Sequence, residues 1–321
     1  AEAGLEDNPS ELEKESLLNY MANAYLNLGY YYGKKGDIDE QLSFINLSIK
    51  IQEQIGNVKG VADCLINMGG LHENQGNIPE ALDDFYRSLA IYEKIDDKKG
   101  IAICLNNLAN IFENQGDYVK ALEFYFQSLE IREKYLDQFY VAKVLNNIGY
   151  NYGKQGNDSL SLVYYERSLK IREEIAWDFG VAVTLVNIGY VYYERMQYEP
   201  ALDYFNKALL VFEKEDDKES MAYALISIGM VLNDQGNIPE AKKNAERSLI
   251  LSQEIGFPDN IQKAENLLSE INEVQNKGMQ ALYMHKLYIT RRYSINNEET
   301  QRANARQQAK YEYESRKAID D

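Results

Sequence analysis

Leu105-Asn106-Asn107-Leu108-Ala109-Asn110-Ile111-Phe112-Glu113-Asn114-Gln115-Gly116-Asp117 is the stretch that decides the reading of this chain. With Ile101 ahead of it, Leu105, Leu108 and Phe112 fall at helical spacing, and Gln115-Gly116-Asp117 then breaks the pattern. A second helical stripe follows in Ala121, Leu122, Tyr125, Phe126, Leu129 and Ile131. Its Asn-x-small motif recurs forty residues away in both directions. The copies are Asn27-Leu28-Gly29, Asn67-Met68-Gly69, Asn107-Leu108-Ala109, Asn147-Ile148-Gly149, Asn187-Ile188-Gly189 and Ser227-Ile228-Gly229. A fixed period of this size means stacked copies of one two-helix unit, and an extended binding surface rather than an active-site cleft.

The columns of this register separate by chemistry. Ala22, Ala62, Ala102, Ala142, Ala182 and Ala222 form one, and Leu65, Leu105, Leu145, Leu185 and Leu225 another. Gly29, Gly69, Gly149, Gly189 and Gly229 lie inside the first helix, where glycine is costly, so a neighbouring element is expected to come too close for a side chain. Ser48, Ser88, Ser128, Ser168, Ala208 and Ser248 make a matching small column on the second helix. Gly36, Gly76, Gly116, Gly156 and Gly236 mark the turn, as left-handed helix C-caps. Asp37, Asn77, Asp117, Asn157 and Asn237 follow as N-caps, with Pro79 and Pro239 in the next first turn.

Leu65, Gly69, Ala81, Phe85 and Ser88, with their equivalents in other units, resemble the tetratricopeptide repeat. The match covers Leu17 to Ile255 in six units, and a degenerate seventh follows: Leu268-Ser269 stands in for Ile228-Gly229, Gln262 replaces the alanine, Asn276 the turn glycine, and Ala281 lies forty after Ala241. The period exceeds the roughly 34 residues usual for the family. The extra six are expected between the second helix and the next unit, around Lys94–Gly100 and Lys134–Tyr140. The resemblance implies an all-α fold, a right-handed superhelix (α-solenoid) of helix-turn-helix repeats.

It also implies that the first helices line a concave groove, with Asn27, Asn67, Asn107, Asn147 and Asn187 on its inner face. Side-chain amides both donate and accept, so evenly spaced amides can hold a peptide backbone whatever its side chains. The competing explanation is local hydrogen bonding between helices. Asn106, Asn110, Asn146, Lys143, Tyr150, Tyr190 and Tyr223 are assigned to the same face. Lys143, Asn147 and Asn187 match part of the clamp that grips chaperone C-termini in this family. Tyr223 and Ser227 stand where its last basic pair would be, so that specificity is not expected.

Composition narrows the function classes. A formal charge of −17 disfavours binding to nucleic acid or an anionic membrane surface. No apolar run is long enough to span a membrane. Cys64 and Cys104 are forty apart, hence in equivalent positions of neighbouring units, and read as small buried residues. The two histidines, His72 and His285, occupy aromatic columns. No phosphate-cradling loop, nucleophile elbow or metal spacing is present, so neither intrinsic catalysis nor a cofactor is expected.

Three segments result. Residues 1–10 read as an N-terminal extension of vector or processing origin, 11–293 as the repeat array, and 294–321 as a polar connector helix. Ser294-Ile295-Asn296-Asn297-Glu298 and Lys310-Tyr311-Glu312-Tyr313-Glu314 resemble the junction at which a repeat sensor of bacterial membrane signalling proteins passes into its connector. Tyr293 departs from the usual Asp there. That resemblance implies a downstream transmembrane helix, an output domain such as a histidine kinase, nucleotide cyclase or transcription regulator, and a periplasmic sensor. The alternatives are a stand-alone cytoplasmic adaptor and a homodimerising scaffold. Each has a protein or extended peptide as partner.

Overall fold

The computed structural model describes residues 11–292 apart from 36, 136, 276, 277 and 281. The N-terminal extension, the connector at 294–321, and the expectations for Gly36, Asn276 and Ala281 lie outside these residues. Thirteen helices follow one another: α1 (Glu11–Lys34), α2 (Ile38–Gln54), α3 (Val58–Gln75), α4 (Ile78–Lys94), α5 (Lys98–Asn114), α6 (Tyr118–Lys134), α7 (Gln138–Lys154), α8 (Asp158–Glu174), α9 (Asp178–Glu194), α10 (Tyr198–Lys214), α11 (Lys218–Asp234), α12 (Ile238–Ile255) and α13 (Pro258–Val274). Residues 282–292 are helical as well, and no strand occurs among the described residues. The chain divides into two compact units, described from 11 to 131 and from 132 to 292.

The long period is not made by a long connection. A typical repeat is two seventeen-residue helices joined by three residues and followed by three more, as in α5 and α6. The six extra residues therefore lengthen the helices, which corrects the expectation that they fall between the second helix and the next unit around Lys94–Gly100. The connection there can be short because Asp96 turns the chain at φ +58° and Asp97 caps α5, accepting from the Gly100 N–H at 3.0 Å.

Within a repeat the small columns have specific partners. Ser88 donates to the Ala62 carbonyl at 2.9 Å, and Ser128, Ser168 and Ser248 repeat this with Ala102, Ala142 and Ala222. Each bond ties the second helix to the first at a fully buried point. The glycine column is explained chiefly by rings at three of its positions, whereas a Cβ at Gly29 would meet the Gln41 carbonyl at 3.3 Å and one at Gly229 the Leu267 side chain at 2.9 Å. A Cβ at Gly69 would lie 2.8 Å from the Phe85 ring, and one at Gly149 or Gly189 equally close to Tyr165 or Phe205.

In the first unit Ala81, Phe85, Leu108 and Ile111 form one core cluster and Ala62, Tyr92, Cys104 and Leu105 another. In the second unit the largest cluster includes Ala182, Leu185, Phe205, Leu209 and Leu225. Cys64 and Cys104 are free and buried beside Ser48 and Ser88, and burial pushes the Cys104 thiol up to about 11. Neither forms a disulfide.

Two local expectations change. Asp37, Asp117 and Asn157 cap the following helices with their side chains, but Asn77 and Asn237 do not. Both are followed by a proline in the first turn, which removes one of the N–H groups a cap would engage, and Asn77 donates instead to Gln75. In the seventh unit Glu265 takes the place of the leucine column and is only 1% exposed. Arg291 forms a two-pronged bond to it, with Nε 3.1 and 3.0 Å from the two carboxylate oxygens, compensating a charge that would otherwise be buried alone.

Candidate binding face

In each unit the first helices of successive repeats lie side by side, α3 by α5, α7 by α9 and α11 by α13. The residues one, five and eight positions after the alanine column share the face left uncovered by the second helices. In the first unit that face carries Asn27 and Asn67, both exposed, and Asn106, Asn107 and Asn110, all half-buried. Asn67 donates to the Asp63 carbonyl one turn back, at 2.8 Å, which leaves its amide oxygen to other partners. The Tyr125 hydroxyl lies 2.6 Å from the Asn110 amide oxygen and 2.9 Å from Glu113. Asn27, Asn106 and Asn107 have no side-chain partner among the described residues.

In the second unit the amides are drawn into the packing. Asn146 is 9% exposed, and its oxygen accepts from Asn187 Nδ2 at 3.1 Å and Thr184 Oγ1 at 3.4 Å. Asn147 is half-buried, with its carbonyl taken by Asn151. Lys143 is exposed beside Phe139 and Tyr140, its ammonium 5.7 and 5.6 Å from the ring centres. Tyr150 is exposed under Lys154. The Tyr190 hydroxyl pairs with Ser227 at 2.7 Å, and its ring leans on Tyr223, which Lys263 covers at 5.0 Å. Burial raises both tyrosine hydroxyls above their ordinary value, so each stays a neutral donor. Asn187 therefore serves its neighbours, whereas Asn67 and Asn107 present amides that packing uses little or not at all.

One column was not legible as a site. Gln52, Tyr92, Arg132, Arg172, Phe212 and Ser252 occupy the same place near the end of each second helix. Tyr92 crosses Gly100 to donate to the Asp63 carboxylate at 2.5 Å. Arg172 is 3% exposed, donates to the Gly180 carbonyl at 2.5 Å and stacks on Trp177 at 4.6 Å. Burial lowers its pKa to about 10, so it remains charged. Trp177 in turn packs on Phe139, centres 4.4 Å apart. The available signal lay in the N-cap column Asn57, Asp97, Asp137, Trp177, Asp217 and Phe257, where two aromatics interrupt a polar series. His72 pairs with the buried Asp84 at 2.8 Å, so it is held within the packing by a carboxylate the sequence did not single out.

No group of three or more metal-ligating side chains occurs among the described residues, and no helix there is long and apolar enough to cross a membrane. A sequence profile of the tetratricopeptide repeat matches residues 20–94, 61–134, 100–174 and 180–254. No curated protein matches the chain. Among solved structures, the apo form of RapI is 18% identical with a TM-score of 0.69, over 86% of this chain and 99% of that one. The STAND signal-transduction ATPase PH0952 of Pyrococcus horikoshii, which has a tetratricopeptide repeat sensor, is 16% identical with a TM-score of 0.73, over 90% of this chain and 45% of that one. The Rap conjugation gene regulator of plasmid pLS20, solved with the Phr* peptide, is 19% identical with a TM-score of 0.63, over 92% and 80%. At these identities the likeness is one of fold.

Proposed function

We propose that this chain, which belongs to the tetratricopeptide-repeat family, binds an extended peptide or protein segment along the shared face of its first helices, as the sensory part of a signalling protein. One observation carries the reading: Asn67 and Asn107 stand forty residues apart on that face, the Asn67 amide oxygen and the whole Asn107 amide being unused by the packing. An amide held for structural reasons bonds its neighbours across the packing, as the Asn146 oxygen and the Asn187 amide nitrogen do. Fold neighbours support the reading, one being bound to a peptide and another carrying its repeats as a sensor. Placement beside a membrane rests on the resemblance of the tail. A hydrophobic segment encoded soon after residue 321 is its test, and a full-length product without one removes the membrane from the proposal.

The groove itself is tested by Asn67→Ala combined with Asn107→Ala. Replacing two asparagines by the better helix former should change stability by less than about 1 kcal/mol. Proteins of the source cell retained by the immobilised wild-type array should be lost on the double variant. Equal retention by both overturns the ladder, and a large loss of thermal stability assigns these amides to structure instead.

A further inference from the structure

In the second unit the face contains a cavity of about 350 Å³, walled by α9, α11 and α13 with Phe212 of α10. Its apolar wall is Val183, Val186, Phe212 and Phe257, and Asn187 and Tyr223 line it as well. That volume sits at the low end of the roughly 300–1,000 Å³ typical of ligand pockets, the scale of one large side chain rather than of a cofactor. Polar groups converge at its edge. Asn260 donates to the Glu219 carbonyl at 3.3 Å and ties α13 to α11, while Glu219 and Asp259 stand exposed beside the opening. The one ammonium among the lining residues, Lys263, lies over the Tyr223 ring. Two exposed carboxylates against the one ammonium leave this opening with a net negative charge.

We propose that this cavity receives a large apolar side chain of the bound peptide, and that a lysine or arginine adjacent to it in the peptide meets Glu219 and Asp259. This rests on the groove reading above and adds the ligand class. The apolar wall supplies burial, about 25 cal/mol for each Å² covered, while the rim carboxylates select the neighbouring charge and steer its approach.

The equivalent positions of Val183 are Asn23, Asp63, Ile103, Lys143, Tyr223 and Lys263, so this column accepts side chains up to tyrosine, and Val183→Trp adds bulk at the cavity wall. Circular dichroism and thermal melting check that it folds. A phage-displayed library of random twelve-residue peptides is selected on the wild-type chain, and a peptide of the enriched sequence is synthesised. The enriched peptides should share a large apolar residue next to Lys or Arg. The synthetic peptide should bind Val183→Trp at least tenfold more weakly, and Glu219→Lys with Asp259→Lys should remove the preference for the basic neighbour alone. Enriched peptides lacking this pair, or binding to Val183→Trp within twofold of wild type, overturn the pocket and leave the groove standing. If the wild-type chain enriches no peptide at all, the groove reading falls, and the pocket with it.

Discussion

The joint between α4 and α5 and the joint between α10 and α11 are built from equivalent residues, yet one is filled and the other bounds a cavity. In the first, Tyr92 lies across Gly100 so closely that a Cβ there would sit 2.2 Å from its ring, and the hydroxyl ends on Asp63. In the second, Phe212 has no hydroxyl, Val183 stands where Asp63 would be, and Ser220 turns back onto Asp217 at 2.7 Å. The ring of Phe212 then forms a wall of the open space rather than its plug. Three substitutions at one address of the repeat accompany the change from a packing contact to a recess; the Ala–Ser bond is present in α3–α4 and in α11–α12, while in α9–α10 Ala208 takes the place of the serine. A repeat fold can thus place a pocket without altering its frame.

The most direct way to break this comparison is to add volume at both joints. Gly100→Val drives methyl groups into the Tyr92 ring and should cost about 3 kcal/mol, the upper range for overpacking a core. Ser220→Val, at the open joint, should cost no more than about 1 kcal/mol, chiefly for the lost hydroxyl bond to Asp217. Urea unfolding with an unchanged slope measures both. Equal costs would mean that the second joint is as tightly filled as the first. The next largest effect isolates the polar end of the plug. Tyr92→Phe keeps the ring and removes its bond to a carboxylate, a loss of about 1.5 kcal/mol. Burial and the neighbouring Asp63 charge both raise the Tyr92 hydroxyl, so it stays protonated through neutral and mildly alkaline pH, and the difference between the two proteins should be flat from pH 7 to 9. A loss that fades over that range would show that the bond to Asp63 is not what the hydroxyl contributes.

The frame was readable from the sequence because each of its columns answers a demand repeated in every unit. Alanine, serine and glycine recur since most repeats have the same carbonyl to tie and the same ring to admit, as at Ala62, Ser88 and Gly69. The site was readable only where it too was periodic. Asn67 and Asn107 were assigned to the face by the family resemblance of their recurring column, whereas the roles of Asn146 and Asn187 depend on a bond between neighbouring helices that no single-residue column displays. The cavity was missed for a related reason. It is lined by departures from the repeat at Val183, Phe212, Ser220 and Phe257, and departures carry no period to read. Arg291 was not readable because its partner Glu265 lies in the unit where the pattern decays.

The same contrast of a regular column with its exception extends to the turns, with the smallest expected effect. Gly76, Gly116, Gly156 and Gly236 close the turn after the first helix at φ between +76° and +79°, and Met196 does so at +57° in their place. A side chain in the left-handed region costs roughly 1–2 kcal/mol, and Met196 recovers little by packing since it is 76% exposed. Met196→Gly removes that strain but lets the unfolded chain gain freedom, so the net gain should be about 0.5–1 kcal/mol. Gly116→Ala is the mirror experiment. A Cβ at Gly116 meets nothing within 4 Å, so whatever stability it costs comes from backbone conformation alone, and about 1 kcal/mol is expected. If Met196→Gly destabilises while Gly116→Ala behaves as stated, the exposed methionine is held by a contact worth more than its strain. The exception at this turn would then join Phe212 and Trp177 as one the chain uses.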